Sequence, residues 1–246
     1  MKTIVFDLWG DWAHFKKFYT TASPLSFHFP PITALKGIIG SILGLSKDKS
    51  EANFYLKELE GLYCAIQLMK PVKTFRIGSN WIETKKARYL SRIASEKGRY
   101  QTIIELIKDP FYRIYVAHPE NNALFEKLAE LLKEHKSIYT PYLGITEHIA
   151  NFKFVEETIA HVRDTDAYTT IHSVISAENL KQDAGPAVQI QEGLAYQRDR
   201  IPVSMDEHRM VIRYESVLYE MKAFSVTVKP VQYWELENGS NIHFFR

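Results

Sequence analysis

The stretch from Phe29 to Ser46, FPPITALKGIIGSILGLS, constrains this chain more tightly than any other. At about 100° per residue, Ile32, Leu35, Ile38, Ile39, Ile42 and Leu43 fall on one broad face of a helix, and Gly37, Gly40 and Gly44 gather nearly opposite. Pro31 suits the first turn, where its missing amide hydrogen would be unpaired in any case. Glycine inside a helix costs roughly 1 kcal/mol relative to alanine, so three of them imply an offsetting contact. The aliphatic face is expected to pack on a sheet. The glycine face leaves a smooth strip beside Thr33 and Lys36 where another backbone can come close. Either a neighbouring subunit or the chain's own loop or second lobe can cover that strip. A phosphate-cradling P-loop is excluded, because leucine and serine separate Gly44 from Lys47 and the glycines lie within a helix.

A chain of 246 residues with 46% hydrophobic and 24% charged residues has the composition of a soluble globular protein. No apolar run approaches the ~18 residues of a membrane span, and a cytoplasmic location without membrane contact is expected. Cys64 is the single cysteine, which rules out an internal disulfide and a multi-cysteine zinc site. The net charge is only +2, yet the segment from Lys70 to Tyr100 holds nine Lys and Arg residues against two Glu, a local charge of +7 that leaves −5 for the rest. A segment so set apart points to a polyanionic partner.

Along the chain, KTIVFDLWG reads as a strand and DWAHFKKFYTTASPLSFHF as an irregular crossing loop before the helix. LYCAIQLMKPVKTFRIGSNWIET reads as extended segments interrupted at Pro71 and Gly78, and a basic, aromatic arm follows. PFYRIYVAH is a strand, PENNALFEKLAELLKEHK a helix with Leu124, Leu128, Leu131 and Leu132 on one side, and HIANFKFVE a strand. The order is that of a ferredoxin-like β-α-β-β-α-β unit, the plan of RNA-recognition domains. The expected class is therefore α+β: a ferredoxin-like domain over residues 1–157, carrying the basic arm at about 82–105, and a smaller β-rich lobe over 158–246.

The nine histidines show no metal-ligand spacing, and neither a metal nor a cofactor is expected. His14 and His28 flank the crossing loop, where a metal-independent ribonuclease can use them with Tyr19 as acid and base. Between Phe75 and Tyr100, cations alternate with Trp81, Tyr89 and Tyr100, whose faces can stack on unpaired bases.

Two stretches then read together. SFHFPPITALKGIIGSILG resembles the first-helix signature of the fifth Cas family of CRISPR-associated proteins, in the RAMP superfamily. TPYLGITEHIA, from Thr140 to Ala150, resembles its Tyr-Leu-Gly turn. RDRIPVSMDEHR in the C-terminal part is similar to the type I-B branch. The resemblance implies a noncatalytic subunit of the Cascade surveillance complex that grips the 5′ handle of the CRISPR RNA (crRNA) and caps the backbone filament beside the large subunit. Target DNA would be met only within that complex. On this basis Lys16, Lys17 and Lys36 would contact phosphates near the first helix, and Arg76, Lys85, Lys86, Arg88, Tyr89 and Arg92 would form the RNA-binding arm. Gly37, Gly40 and Gly44 would meet a partner. The type I-C branch instead cleaves precursor RNA, which makes an endoribonuclease using His14, His28 and Tyr19 the rival expectation.

Overall fold

The computed structural model of the chain describes residues 1–20, 23–82, 99–120, 123–182 and 185–246. The chain is mostly β with few helices. Strand β1 (Lys2–Trp9) is buried from Thr3 to Phe6 and again at Leu8, the pattern of a strand covered on both faces. Ile4, Phe6 and Leu8 join one buried cluster and Val5 another, as the twofold alternation of a strand requires. β1 runs antiparallel between β8 (Phe111–Ala117) and β9 (Asn151–Asp164), and β5 (Tyr63–Leu68) flanks β8. The connection from β1 to β5 holds helix α1 (Ile32–Leu43) and the single turn α2 (Tyr55–Glu58). That from β8 to β9 holds α3 (Ala123–Lys133). The connectivity through these elements is β-α-β-β-α-β, with strands ordered β9-β1-β8-β5.

The C-terminal third completes this sheet. β15 (Gln232–Leu236) pairs with the far half of β9, from Gln232↔Asp164 to Leu236↔Ala160, and β16 (Asn241–Ile242) pairs with β15. β9 therefore runs unbroken through residues 157 and 158. The aliphatic residues of α1, with Leu128 and Leu132 of α3, pack against Ile4, Phe6 and Leu8. The same cluster takes in Ile201 and Val203 of β12 (Tyr196–Met205) and Val217 and Tyr219 of β13 (Val211–Glu220). A second cluster joins Val5, Ala65 and Tyr115 to Leu236, Ile242 and Phe244 near the C-terminus. β11 (Ile175–Ser176) and β12 flank β13 in a three-stranded sheet, and β10 (Thr169–Ile171) pairs with β14 (Val226–Val228).

The segment read as an irregular crossing loop carries three short strands: β2 (Trp12–Ala13), β3 (Phe15–Lys16) and β4 (Ser26–Phe27), of which the last two pair. Among the described residues, no helix is long and apolar enough to cross a membrane.

Candidate nucleic-acid interface

Strands β6 (Thr74–Ile82) and β7 (Arg99–Lys108) pair antiparallel from Thr74↔Ile107 to Ile82↔Arg99, and belong with β2 to a sheet separate from the main one. The extended ribbon thus begins at Thr74, before the expected arm boundary near 82. Lys85, Lys86, Arg88, Tyr89 and Arg92 lie outside the described residues. On one face Phe75 lies opposite Leu106, Ile77 opposite Ile104, Ser79 opposite Thr102 and Trp81 opposite Tyr100. Near the body the β7 side of this face is covered, with Leu106 and Ile104 buried, while the β6 side stays open: Phe75 and Ile77 are exposed, and the Trp12 ring centroid is 5.6 Å from that of Phe75. Farther out Trp81 is 43% exposed and Tyr100 51%. Such a cross-strand pair offers ring faces on which unpaired bases stack. On the opposite face Arg76 Nε donates to Glu105 Oε2 at 3.3 Å.

The crossing loop is anchored by buried polar bonds. Lys17 Nζ donates to Asp199 Oδ2 of β12 at 2.5 Å, and its ammonium lies 5.4 Å from the Phe27 ring centroid. Burial opposes the Lys17 charge, but the bond to Asp199 and its negative charge outweigh it and the Lys17 pKa is raised. His28 Nδ1 lies 2.8 Å from the Tyr219 hydroxyl, and the His28 carbonyl accepts from the Tyr112 hydroxyl at 2.8 Å. Burial, then the nearby Lys17 charge, lowers the His28 pKa. Tyr19 is exposed and its ring lies beside Lys17, 6.0 Å from the ammonium. His14 belongs to another set of bonds: its Nδ1–H donates to the Glu105 carbonyl at 2.7 Å, and burial lowers its pKa. Of the lysines near the first helix, Lys16 is exposed, Lys17 is committed to Asp199, and Lys36 is buried with its pKa lowered by desolvation.

Helix α1 ends in a left-handed Gly44 at φ 75°, and its last carbonyls all find donors. Gly40 O accepts from Leu45 N, Ser41 O from Gly44 N and Tyr139 N, Ile42 O from Ile138 N, and Leu43 O from Lys127 Nζ. These bonds set the segment before the Tyr-Leu-Gly turn against the helix. The turn itself is locked by Leu143 N to His148 O at 2.7 Å and Ala150 N to Pro141 O at 2.9 Å. At Gly144, φ 94°, an added Cβ would lie 1.9 Å from the His14 carbonyl oxygen, so only glycine lets the turn meet the crossing loop there. The three helix glycines divide. A Cβ on Gly40 would come within 3.2 Å of Tyr55 and one on Gly44 within 2.7 Å of Ile138, whereas Gly37 has no neighbour within 4 Å. The chain's own residues therefore cover Gly40 and Gly44, and Gly37 faces outward.

Residues 3–229 match the family described as CRISPR-associated protein (Cas_Cas5). The chain belongs to this Cas5 family. A search of curated proteins finds no match. The Cas5 chain is similar to the crystal structure of a CRISPR protein from Archaeoglobus fulgidus, with 16% identity and a TM-score of 0.52, covering 100% of this chain and 99% of that one. A chain of a CRISPR RNA-guided surveillance complex aligns with a TM-score of 0.55 at 12% identity, over 92% of this chain and 91% of that one. A chain of the type III-B Cmr-beta assembly, solved by cryo-EM with cognate target RNA and AMPPnP, gives a TM-score of 0.52 at 11% identity, over 93% of this chain and 86% of that one. At these identities the likeness is one of fold.

Several residues that organise the Cas5 surface escape a sequence reading. Asp199 and Tyr219 anchor Lys17 and His28 across more than 180 positions. Tyr55 closes over Gly40 from α2, a turn too short to show helical periodicity. Only the RDRIPV stretch, quoted for its resemblance, contains one of these partners, Asp199. Among the described residues no group of three His, Cys, Asp or Glu side chains gathers to hold a metal.

Proposed function

We propose that this Cas5-family chain is a noncatalytic RNA-binding subunit of a type I-B-like Cascade complex, holding the 5′ handle of the crRNA. It caps the backbone filament beside the large subunit, in the cytoplasm, and meets target DNA only within the assembly. In this reading residues 1–157 supply the ferredoxin-like RAMP order, and residues 158–246 supply the β-rich remainder, whose β15 and β16 extend the same sheet. The observation that carries this reading is the β6–β7 ribbon, which holds Trp81 and Tyr100 in an exposed cross-strand pair and leads into the basic segment 83–98. Stacking faces followed by a run of cations suit single-stranded RNA, whose phosphates supply affinity and whose splayed bases supply stacking surface. Changing Lys85, Lys86 and Arg88 together to glutamate should weaken handle-RNA binding and flatten its dependence on salt; an unchanged affinity and salt slope sinks the assignment.

One observation favours cleavage of precursor RNA as a second reading: Lys17, Tyr19 and His28 share one cluster with Asp199. Incubation of the protein with repeat RNA in EDTA decides between them. Specific cutting lost in His14→Ala or His28→Ala establishes the nuclease, and intact RNA favours the binding subunit.

A further inference from the structure

A cavity of about 610 Å³ opens along the outward side of α1. Its floor is built of small side chains, Thr33, Ala34, Gly37 and Ser41, while Tyr55 stands among its walls together with Tyr139 and Tyr142. Tyr139 is 58% exposed and Tyr142 42%. Lys47 and Arg209 are the charged residues of the lining, and both are cations. Arg209 sits at the tip of the β12–β13 hairpin at φ 62°, a left-handed conformation that a non-glycine residue adopts at a cost. Asp206 fixes that tip, its Oδ1 accepting from the backbone N–H of His208 at 2.9 Å and of Met210 at 2.8 Å. So held, Arg209 Nη2 donates to the Lys47 carbonyl at 2.8 Å and ties the hairpin to the loop after α1. Three stretches far apart in sequence meet here: the glycine helix, the Tyr-Leu-Gly turn and the RDRIPVSMDEHR hairpin.

We propose that this groove takes one or two unpaired nucleotides of single-stranded RNA, with a base against Tyr139 and Tyr142 and a phosphate on Lys47 and Arg209. The inference rests on the reading of the chain as an RNA-binding subunit and adds a site apart from the ribbon. The chemistry of the lining chooses the occupant. Tyrosine faces suit a base, the two like charges suit a phosphate, and the outward-open Gly37 leaves room for a sugar-phosphate backbone to approach. The volume falls in the range of about 300–1,000 Å³ typical of ligand-sized clefts.

The test uses the full chain and a short fluorescein-labelled single-stranded RNA, with ultraviolet crosslinking and peptide mapping alongside anisotropy. Gly37→Phe fills the groove from an unobstructed position, Tyr139→Ala removes a stacking face, and Lys47→Glu reverses a charge. Each should keep the wild-type thermal melting profile. Each should weaken binding about tenfold or more, Lys47→Glu should reduce the salt slope by about one, and crosslinks should map to Tyr139 or Tyr142. Wild-type affinity in all three variants with no crosslink in the groove overturns the inference; if Trp81→Ala in the ribbon still weakens binding, the proposed function survives that failure. No binding by the wild-type chain, alone or assembled, overturns both. Loss of assembly with a protein subunit in Gly37→Phe, with RNA crosslinks unchanged, identifies a protein-docking groove and also overturns it.

Discussion

Strands β1 and β6 are built from similar residues and end in opposite surroundings. β1, KTIVFDLW, has neighbours on both edges and buried clusters on both faces, and Ile4, Val5, Phe6 and Leu8 have no exposed surface. β6, TFRIGSNWI, has β7 on one edge, and every residue except Ser79 is exposed. The apolar residues of β1 are consumed by the chain's own fold. Those at the far end of β6 stay about half exposed, Trp81 at 43%, so ring surface is left available to something else. The teaching is that hydrophobic content alone does not mark a core; what marks it is whether another layer of the chain covers the strand.

Three measurements press on this contrast. Phe6→Ala should give the largest effect, a loss of about 3–5 kcal/mol in denaturant unfolding, because the surrounding core cannot collapse into the space. A much smaller loss would mean that β1 is not the buried strand described. The next concerns the chain end, which is drawn into the same buried regime. His243 Nδ1 accepts from Asn179 Nδ2 at 3.1 Å, and burial pushes its pKa down to about 4 from an ordinary 6.5. A histidine with a depressed folded-state pKa contributes stability present above the unfolded value and lost as pH falls toward the folded one. Unfolding free energy should therefore fall between pH 6.5 and about 4, by up to ~3 kcal/mol, and His243→Gln should flatten that slope. The smallest stability effect belongs to the ribbon: Trp81→Ala should shift unfolding by no more than ~0.5 kcal/mol while weakening RNA binding about tenfold. A destabilised Trp81→Ala protein with normal RNA affinity would erase the distinction between the two strands.

Much of the element order was legible because periodicity survives in single segments. The aliphatic face of α1, the leucines of α3 and the branched and aromatic residues of β1 each announce their packing within about a dozen residues. The crossing loop was less legible: β2, β3 and β4 are two residues each, too short to show an alternation. For the candidate site, the basic and aromatic segment was visible as composition, and Arg76, Trp81 and Tyr100 lie on the ribbon in the structure. Lys17 and Lys36 show the limit of that approach. Both read as surface cations, yet one is tied to Asp199 and the other is buried against the fold.

By itself, the sequence determined that α1 has two unlike faces, that one segment is strongly basic, and that strands and helices follow a β-α-β-β-α-β order, because these depend on spacing and composition within short windows; that the chain as a whole is mostly β was read only from the structure. Only the tertiary structure decided how the glycine face was shared. Tyr55 covers Gly40, Ile138 covers Gly44, and Gly37 is left at the floor of a groove rimmed by Tyr139, Tyr142 and Arg209. Those partners come from positions up to more than 160 residues away, and no local pattern encodes which of them will arrive beside a given turn of helix.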